Sequence, residues 1–374
     1  MQLLNARFEN FRNLAQVELP LGARASVAVG ENGQGKTNLL EGLYLLATLK
    51  PLRASRLSEL VQWGAQHAKV SGRFVLKGAE REIAVELSMT ADGRALRQAY
   101  VDGKSAASLD EYFGGVSVVA FTPDDLAVVK GGPDGRRSFL DRSVFNRFPA
   151  YLEEARQYQR ALKSRNRLLK DNAPVSHLQA WDETLSKLGA KLWVRRRAFV
   201  AELSPKAKAA FDRIGRSPME ASFEYLPEHL DAATFARGEE ELSQKLRTLL
   251  EQRLPRDLER GFTSAGPHSD DLELSLGGKS ARSFASQGQS RALVLAWKVA
   301  EIENLLAATG LLPLLLLDDV SSELDPERNA FLMGYLRDSG AQTFLTTTDA
   351  GLVAKAAGDG AKWFDVKGGT VSAR

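Results

Sequence analysis

The chain has 374 residues, of which 44% are hydrophobic and 26% charged, with a formal net charge of +3. That describes an ordinary soluble globular protein, too long for one small core and about right for two or three lobes. Cysteine is absent and the four histidines, His67, His177, His229 and His268, are scattered. This excludes disulfides, thiolate nucleophiles and cysteine-based zinc sites, and it argues against a histidine-rich metal site.

The N-terminal stretch reads as strands. Leu4, Ala6 and Phe8 alternate with polar residues, and Ala25–Val29 is a short apolar strand running into a glycine-rich loop. A helix is expected over Lys36–Thr48, and a β-meander over residues 68–101, where Ile83, Val85 and Leu87 alternate and Asp92-Gly93 and Asp102-Gly103 mark turns. Residues 116–121 form a buried-strand candidate, closed by Thr122-Pro123. From about residue 140 the period becomes helical. Leu152, Ala155, Tyr158, Leu162 and Leu169 make one stripe, and further helices are expected at about 177–203 and 239–258. Strands return after Gly261, with Leu272, Leu274 and Leu276 alternating and residues 312–317 continuously apolar; a helix at about 289–308 lies between them. The most apolar run, residues 311–317, contains Pro313 and is far short of the roughly 20 residues a membrane helix needs. With no signal-peptide pattern at the N-terminus, a cytoplasmic location is expected. The order β/α, helical, β/α predicts an α/β domain interrupted by a helical insertion.

Gly30-Glu31-Asn32-Gly33-Gln34-Gly35-Lys36-Thr37 fits the phosphate-loop pattern G-x-x-x-x-G-K-[ST], with a strand before and a helix after. Glycines let backbone N–H groups wrap phosphates, and the following helix points its positive end at them. Lys36 is assigned to the β- and γ-phosphates of ATP, and the Thr37 hydroxyl to Mg2+. The apolar run Leu314-Leu315-Leu316-Leu317 ends in Asp318-Asp319. This is the acidic strand end a phosphate loop needs, with Asp318 beside the metal and Asp319 polarising the attacking water. Nearly the whole chain separates the two motifs, so its first and last thirds must meet in one sheet. Ser286-Gln287-Gly288-Gln289, opening a helix, is a further anion-site candidate. Ser321-Ser322-Glu323-Leu324-Asp325 extends the set after the acidic strand.

These motifs, in this order, resemble the ABC-type ATPase heads of DNA-maintenance proteins, and more closely the RecF family. The likeness runs over essentially the full length. It is carried by Phe11-Arg12-Asn13-Leu14, Phe121-Thr122-Pro123-Asp124-Asp125-Leu126, Arg136-Arg137-Ser138-Phe139-Leu140-Asp141, Gly266-Pro267-His268, Gln289-Ser290-Arg291, and the stretch from Leu317-Asp318-Asp319 to Asp325. Two stretches depart from the family's usual pattern, Ser269 and Pro51-Leu52-Arg53. Thr346-Thr347-Thr348 stands where transporter-type heads keep a switch histidine. The resemblance implies ATP-dependent homodimerisation on DNA, slow ATP hydrolysis and cooperation with other recombination mediator proteins, with Ser286, Gly288, Gln289 and Asp325 completing the ATP site. The implied architecture is a P-loop ABC-type head in two parts, residues 1–140 and 258–374, with a helical arm at 141–257. A transporter ATPase subunit or a chromosome-organising head is the alternative. The first places its Ser-x-Gly-Gln segment closer to the phosphate loop and keeps the switch histidine. The second needs long heptad arms, which 141–257 is too short to supply.

Charge supplies a candidate DNA surface. Residues 141–216 carry 17 Lys and Arg against 8 Asp and Glu, a net of +9, leaving −6 on the rest of the chain. Arg160, Lys163, Arg167 and Lys170, spaced three to four apart, share one helical face, and Arg195-Arg196-Arg197 forms a second cluster. Such a face would meet a phosphate backbone without reading bases.

Overall fold

A computed structural model describes residues 1–215 and 219–374, so Arg216, counted in the basic stretch, lies outside the described residues. The chain divides into two units, Met1–Leu126 with Glu301–Arg374, and Ala127–Ala300. The first unit opens with β1 (Gln2–Phe11), β2 (Leu14–Pro20), β3 (Ala25–Val29), β4 (His67–Leu76), β5 (Ala79–Met89), β6 (Ala95–Val101), β7 (Lys104–Ser105) and β8 (Val118–Phe121). The second unit contributes β9 (Ala221–Leu226), β10 (Asp271–Leu276) and β11 (Lys279–Ser280). The chain returns to the first for β12 (Leu314–Asp318), β13 (Thr343–Thr347), β14 (Lys362–Lys367) and β15 (Thr370–Ala373).

Two six-stranded sheets build the first unit. One is antiparallel throughout, in the order β2-β1-β4-β5-β6-β7. The other has the order β15-β14-β3-β13-β12-β8, parallel except for the edge strand β15. Its inner strands β3, β12 and β13 are buried along their whole length. That is why β3 and β12 read as apolar runs without alternation. The helix Lys36–Thr48 touches β1, β4 and β5 of the first sheet and β8, β12 and β13 of the second. Of its 13 residues only Thr37 and Asn38 are not buried, the pattern of a helix covered on every side. Gly42 lets it approach this closely, since a Cβ there would lie 2.5 Å from the Phe8 ring. At the start of β1 the expected alternation slips. A register irregularity between Leu3 and Asn5 puts Leu3, not Leu4, in the core with Ala6 and Phe8.

In the second unit the helices Tyr151–Lys170, Val175–Gly215 and Glu239–Arg260 pack together. The long helix runs past the expected end at about 203 and through Pro205; Ala207, Ala210, Phe211 and Ile214 beyond it are all buried. Trp297 is fully buried against Phe139, Phe199 and Phe223. β9 pairs with β10 from Asp271↔Leu226 to Leu276↔Ala221. That ladder and that aromatic cluster carry the unit beyond the expected 141–257 at both ends. Among the described residues no helix is long and apolar enough to cross a membrane.

The buried Gln342 amide bonds the two halves of the first unit. Its Nε2 donates to the carbonyls of Leu3 and Gly22, both at 2.8 Å, and its Oε1 accepts the Leu3 N–H at 2.7 Å. Gln342→Leu keeps the volume but orphans three backbone groups. It should lower the unfolding free energy by about 3 kcal/mol, read from urea denaturation.

Candidate nucleotide-binding site

The parallel order β3-β13-β12 puts the end of β3 and the end of β12 on either side of β13, at the carboxyl edge of the sheet. That edge is where open α/β sheets bind ligands. The loop 30–35 leaves β3 there, with Gly33 and Gly35 at φ 79° and 117°, values that favour glycine. Lys36 and Thr37 begin the helix, so its free N–H groups face the loop. The Lys36 ammonium folds over the loop and donates to the carbonyls of Gly30 at 2.6 Å and Glu31 at 2.9 Å. Burial pushes its pKa down, opposed by the charges of Asp319 and Asp318. Gln34 is held from outside. Its carbonyl accepts from Asn13 Nδ2 and the Gly369 N–H, and its side chain accepts the Gly368 N–H.

Asp318 is buried at the end of β12 and gathers three donors. Thr37 Oγ1 donates at 2.9 Å, Thr346 Oγ1 of β13 at 2.8 Å, and the Arg53 guanidinium pairs with it at 2.9 Å. Asp319 has left-handed backbone, φ 50°, and its N–H is fixed by the carbonyl and hydroxyl of Thr346, both at 3.1 Å. One of its carboxylate oxygens, Oδ1, is buried without a partner. Burial raises the Asp319 pKa, countered by the Lys36 charge and by hydrogen bonds from Thr348 and Ser322. A cavity of about 440 Å3 opens over Lys36, Thr37, Arg53, Asp318 and Asp319. A cavity of about 690 Å3 elsewhere in the unit, at Pro20, Ala350, Trp363 and Phe364, is mostly apolar and has no acidic side chain. The chemistry therefore belongs to the smaller, polar one.

The motif residues Gly30, Glu31, Asn32, Gly33, Gln34, Gly35, Lys36, Thr37, Asp318 and Asp319 thus come together in the first unit. Asp325 lies in the same unit as the cap of the helix Pro326–Ser339, accepting the Arg328 N–H at 3.1 Å. Ser286, Gly288 and Gln289 lie in the second unit. There Ser286 Oγ accepts the Gln289 N–H, and Gln289 Oε1 accepts the Ser286 N–H, a capping box that leaves Ser286 exposed.

Four site residues, Glu41, Arg12, Arg53 and Thr346, had no assigned role from sequence. Glu41, buried in the helix, accepts the Arg12 guanidinium and the N–H groups of Arg53 and Ala54. It thereby places both arginines at the cavity; its only signal was a charge inside the run Leu39-Leu40-Glu41-Gly42-Leu43. Thr346 carried the signal of a hydroxyl at the end of a buried strand.

Arg160, Lys163, Arg167 and Lys170 are exposed along Tyr151–Lys170. The second basic cluster does not form an open face. Arg196 is buried, paired with Asp141 and donating to the Pro267 carbonyl, because its helix turns it into the core of the second unit. Arg195 pairs with Glu154, and Arg197 donates to the Arg237 carbonyl.

The chain matches the RecF/RecN/SMC N-terminal domain family over residues 2–370. It is 65% identical to the DNA replication and repair protein RecF of Myxococcus xanthus, covering 100% of this chain and 98% of the relative. It is 40% identical to the protein of that name in Geobacter sulfurreducens, over 97% of each. Among solved structures it is similar to the recombination mediator protein RecF with ATP, of the RecFOR pathway. The TM-score is 0.86 at 30% identity, over 100% of this chain and 97% of the other. An SMC head bound to the C-terminal winged-helix domain of ScpA shares the fold at 15% identity, with a TM-score of 0.54 over 100% of this chain and 97% of that one.

Asp319 yields a pH prediction. Its pKa is higher folded than unfolded, so its stabilising contribution is full below the ordinary carboxylate range and is lost as pH rises through the raised value. At pH 7 the wild type keeps a partly desolvated charge that Asp319→Asn removes. The variant should therefore melt a few degrees higher at pH 7, and the difference should vanish near pH 4 in thermal scans.

Proposed function

Because the chain belongs to the RecF family, we propose that it is an ATP-dependent DNA-binding clamp of recombinational repair and replication-fork recovery. It dimerises when ATP binds and is released by slow, DNA-stimulated hydrolysis. The observation that carries this reading is the meeting of Thr37 with Asp318 at 2.9 Å, under Lys36 and beside Asp319. A hydroxyl and a carboxylate at that spacing fit a small hard cation that takes its remaining ligands from phosphate oxygens and water, so Thr37 and Asp318 would hold Mg2+. Held by Thr37 and Asp318, Mg2+ would supply charge neutralisation of the β- and γ-phosphates. Lys36 exchanges the carbonyls of Gly30 and Glu31 for phosphate oxygens. The unpartnered Oδ1 of Asp319 accepts a proton of the water that attacks the γ-phosphate.

Each ATP also meets Ser286, Gly288 and Gln289 of a second copy, and Asp325 borders the same site. The exposed helix start at Ser286 suits that role, since a phosphate can take over the Ser286 and Gln289 N–H groups that the capping box holds. Two nucleotides buried between two chains couple dimer stability to ATP. The working partners are DNA and other recombination mediator proteins, in the cytoplasm.

Sedimentation with ATP and Mg2+ tests the cycle. Wild type should dimerise and slowly return to monomer. Asp319→Asn should stay dimeric, with turnover reduced at least a hundredfold, about the worth of a positioned base. Ser286→Arg should bind ATP as monomer and fail to dimerise. A normal ATP-dependent dimer of the Ser286 variant would remove this segment from the interface.

DNA binding is assigned to the open face of Tyr151–Lys170. Replacing Arg160, Lys163 and Arg167 together by Gln should lower affinity about equally on all DNA sequences. It should flatten the slope of log affinity against log salt by roughly 0.9 per lost phosphate contact. An unchanged salt slope would move the DNA surface elsewhere.

A further inference from the structure

The β14–β15 hairpin reaches the phosphate loop from outside, and its contacts are directional. The Gln34 carbonyl accepts two donors, the Gly369 N–H at 2.9 Å and Asn13 Nδ2 at 3.1 Å. The Gln34 side-chain oxygen accepts the Gly368 N–H at 2.7 Å. The Asn13 amide is itself oriented, because its Oδ1 accepts Asn38 Nδ2 at 2.8 Å and so leaves its Nδ2 for Gln34. Strand β14 also lies tight against the first residue of the loop, where a Cβ on Gly30 would run into the Val366 carbonyl oxygen.

Together these contacts fix the plane of one peptide. A trans peptide carries its C=O and the following N–H on opposite sides. Turning the Gln34 carbonyl outward, onto Asn13 and Gly369, therefore turns the Gly35 N–H the other way, toward the cavity that Gly33, Gly35 and Lys36 line. The covalent chain does not impose this. Rotating the peptide changes only ψ of Gln34 and φ of Gly35, and Gly35, at φ 117°, is a residue that takes either sign of φ at little cost. The rotated peptide would aim a carbonyl oxygen at a phosphate where a donor is needed. We propose that the hairpin tip, together with Asn13, is a positioning device for the phosphate loop. It locks the 34–35 peptide in the orientation that presents the Gly35 N–H, so phosphate affinity depends on residues that touch no phosphate. This inference rests on the phosphate-loop reading above, since only a bound phosphate gives the Gly35 N–H its task.

Two adjacent glycines supply the test. Gly368 and Gly369 have φ 56° and 82°, so alanine strains the turn at either position. Only at Gly369 does it also collide. Its Cβ would overlap the Asn13 carbonyl oxygen, whereas a Cβ at Gly368 meets nothing within 4 Å. Gly369→Ala must therefore part the tip from Asn13 and Gln34, while Gly368→Ala keeps both N–H donors in place. Binding of inorganic tripolyphosphate with Mg2+ is measured by calorimetry on wild type, Gly368→Ala, Gly369→Ala, Asn13→Ala and Lys36→Ala, each below its melting temperature. Gly368→Ala should bind as wild type does. Gly369→Ala should raise the dissociation constant roughly ten- to hundredfold, the range for losing a hydrogen bond to a charged group. Asn13→Ala removes one of the two donors to the Gln34 carbonyl and leaves the turn alone, so it should weaken binding by less. Added to Gly369→Ala it should cost little more, because both act on one carbonyl. A merely structural role would lower the two glycine variants alike, through turn strain. Equal affinities of Gly368→Ala and Gly369→Ala would overturn the positioning role. Should Gly369→Ala fail to fold, wild-type affinity in Asn13→Ala would overturn it. Wild-type binding by Lys36→Ala would instead overturn the phosphate-loop reading, and this inference with it.

Discussion

Three segments converge on the carboxylate of Asp318. Thr37 lies 281 residues away from it in sequence and Thr346 lies 28 residues away, yet both hydroxyls donate to the same oxygen, while Arg53 pairs with the other. A buried carboxylate without donors would be costly, so the fold is obliged to bring all three together. Satisfying Asp318 therefore fixes the start of the helix Lys36–Thr48, the end of β13 and the loop after that helix relative to one another. Glu41 does the same from below, one turn further along the helix, by holding Arg12 and the backbone at Arg53. The electrostatics of the site and the placement of its walls are thus one set of contacts.

The platform under these contacts is stiff for a plain reason. A helix covered by a sheet on both sides has no solvated face to yield, and Gly42 against Phe8 leaves no slack. The Gln342 amide closes the joint between the two sheets with three hydrogen bonds in a place where water cannot substitute. On this base the loop 30–35 can hold unusual backbone angles, and Asp319 can keep left-handed backbone and an unpartnered oxygen, because the surroundings determine them.

The sequence made the centre of this site legible and left its supports obscure. The phosphate loop, the helix Lys36–Thr48 and the acidic strand end follow local rules of spacing and periodicity, and they stand where those rules put them. The pairing of β9 with β10 joins residues about fifty apart through a ladder with no sequence signature, so the helical unit extended further than its helical periodicity indicated. Arg196 read as surface charge because three arginines in a row look solvated. Its burial depends on Asp141 and on the Pro267 carbonyl, which only the tertiary fold supplies. Glu41 and Arg53 were hidden for the same reason, since a buried ion pair is defined by a partner and not by a pattern.

The hairpin turn at Gly368 and Gly369, which holds Gln34 from outside, bears on how the protein is made. Translation delivers the phosphate loop early, when of these supports only Asn13 exists. Asp318, Thr346 and the hairpin arrive only after the whole second unit has been synthesised. Until then the glycine-rich loop lacks most of its bracing. The site therefore closes as a late step of biogenesis, and a chain released before residue 369 lacks the brace altogether.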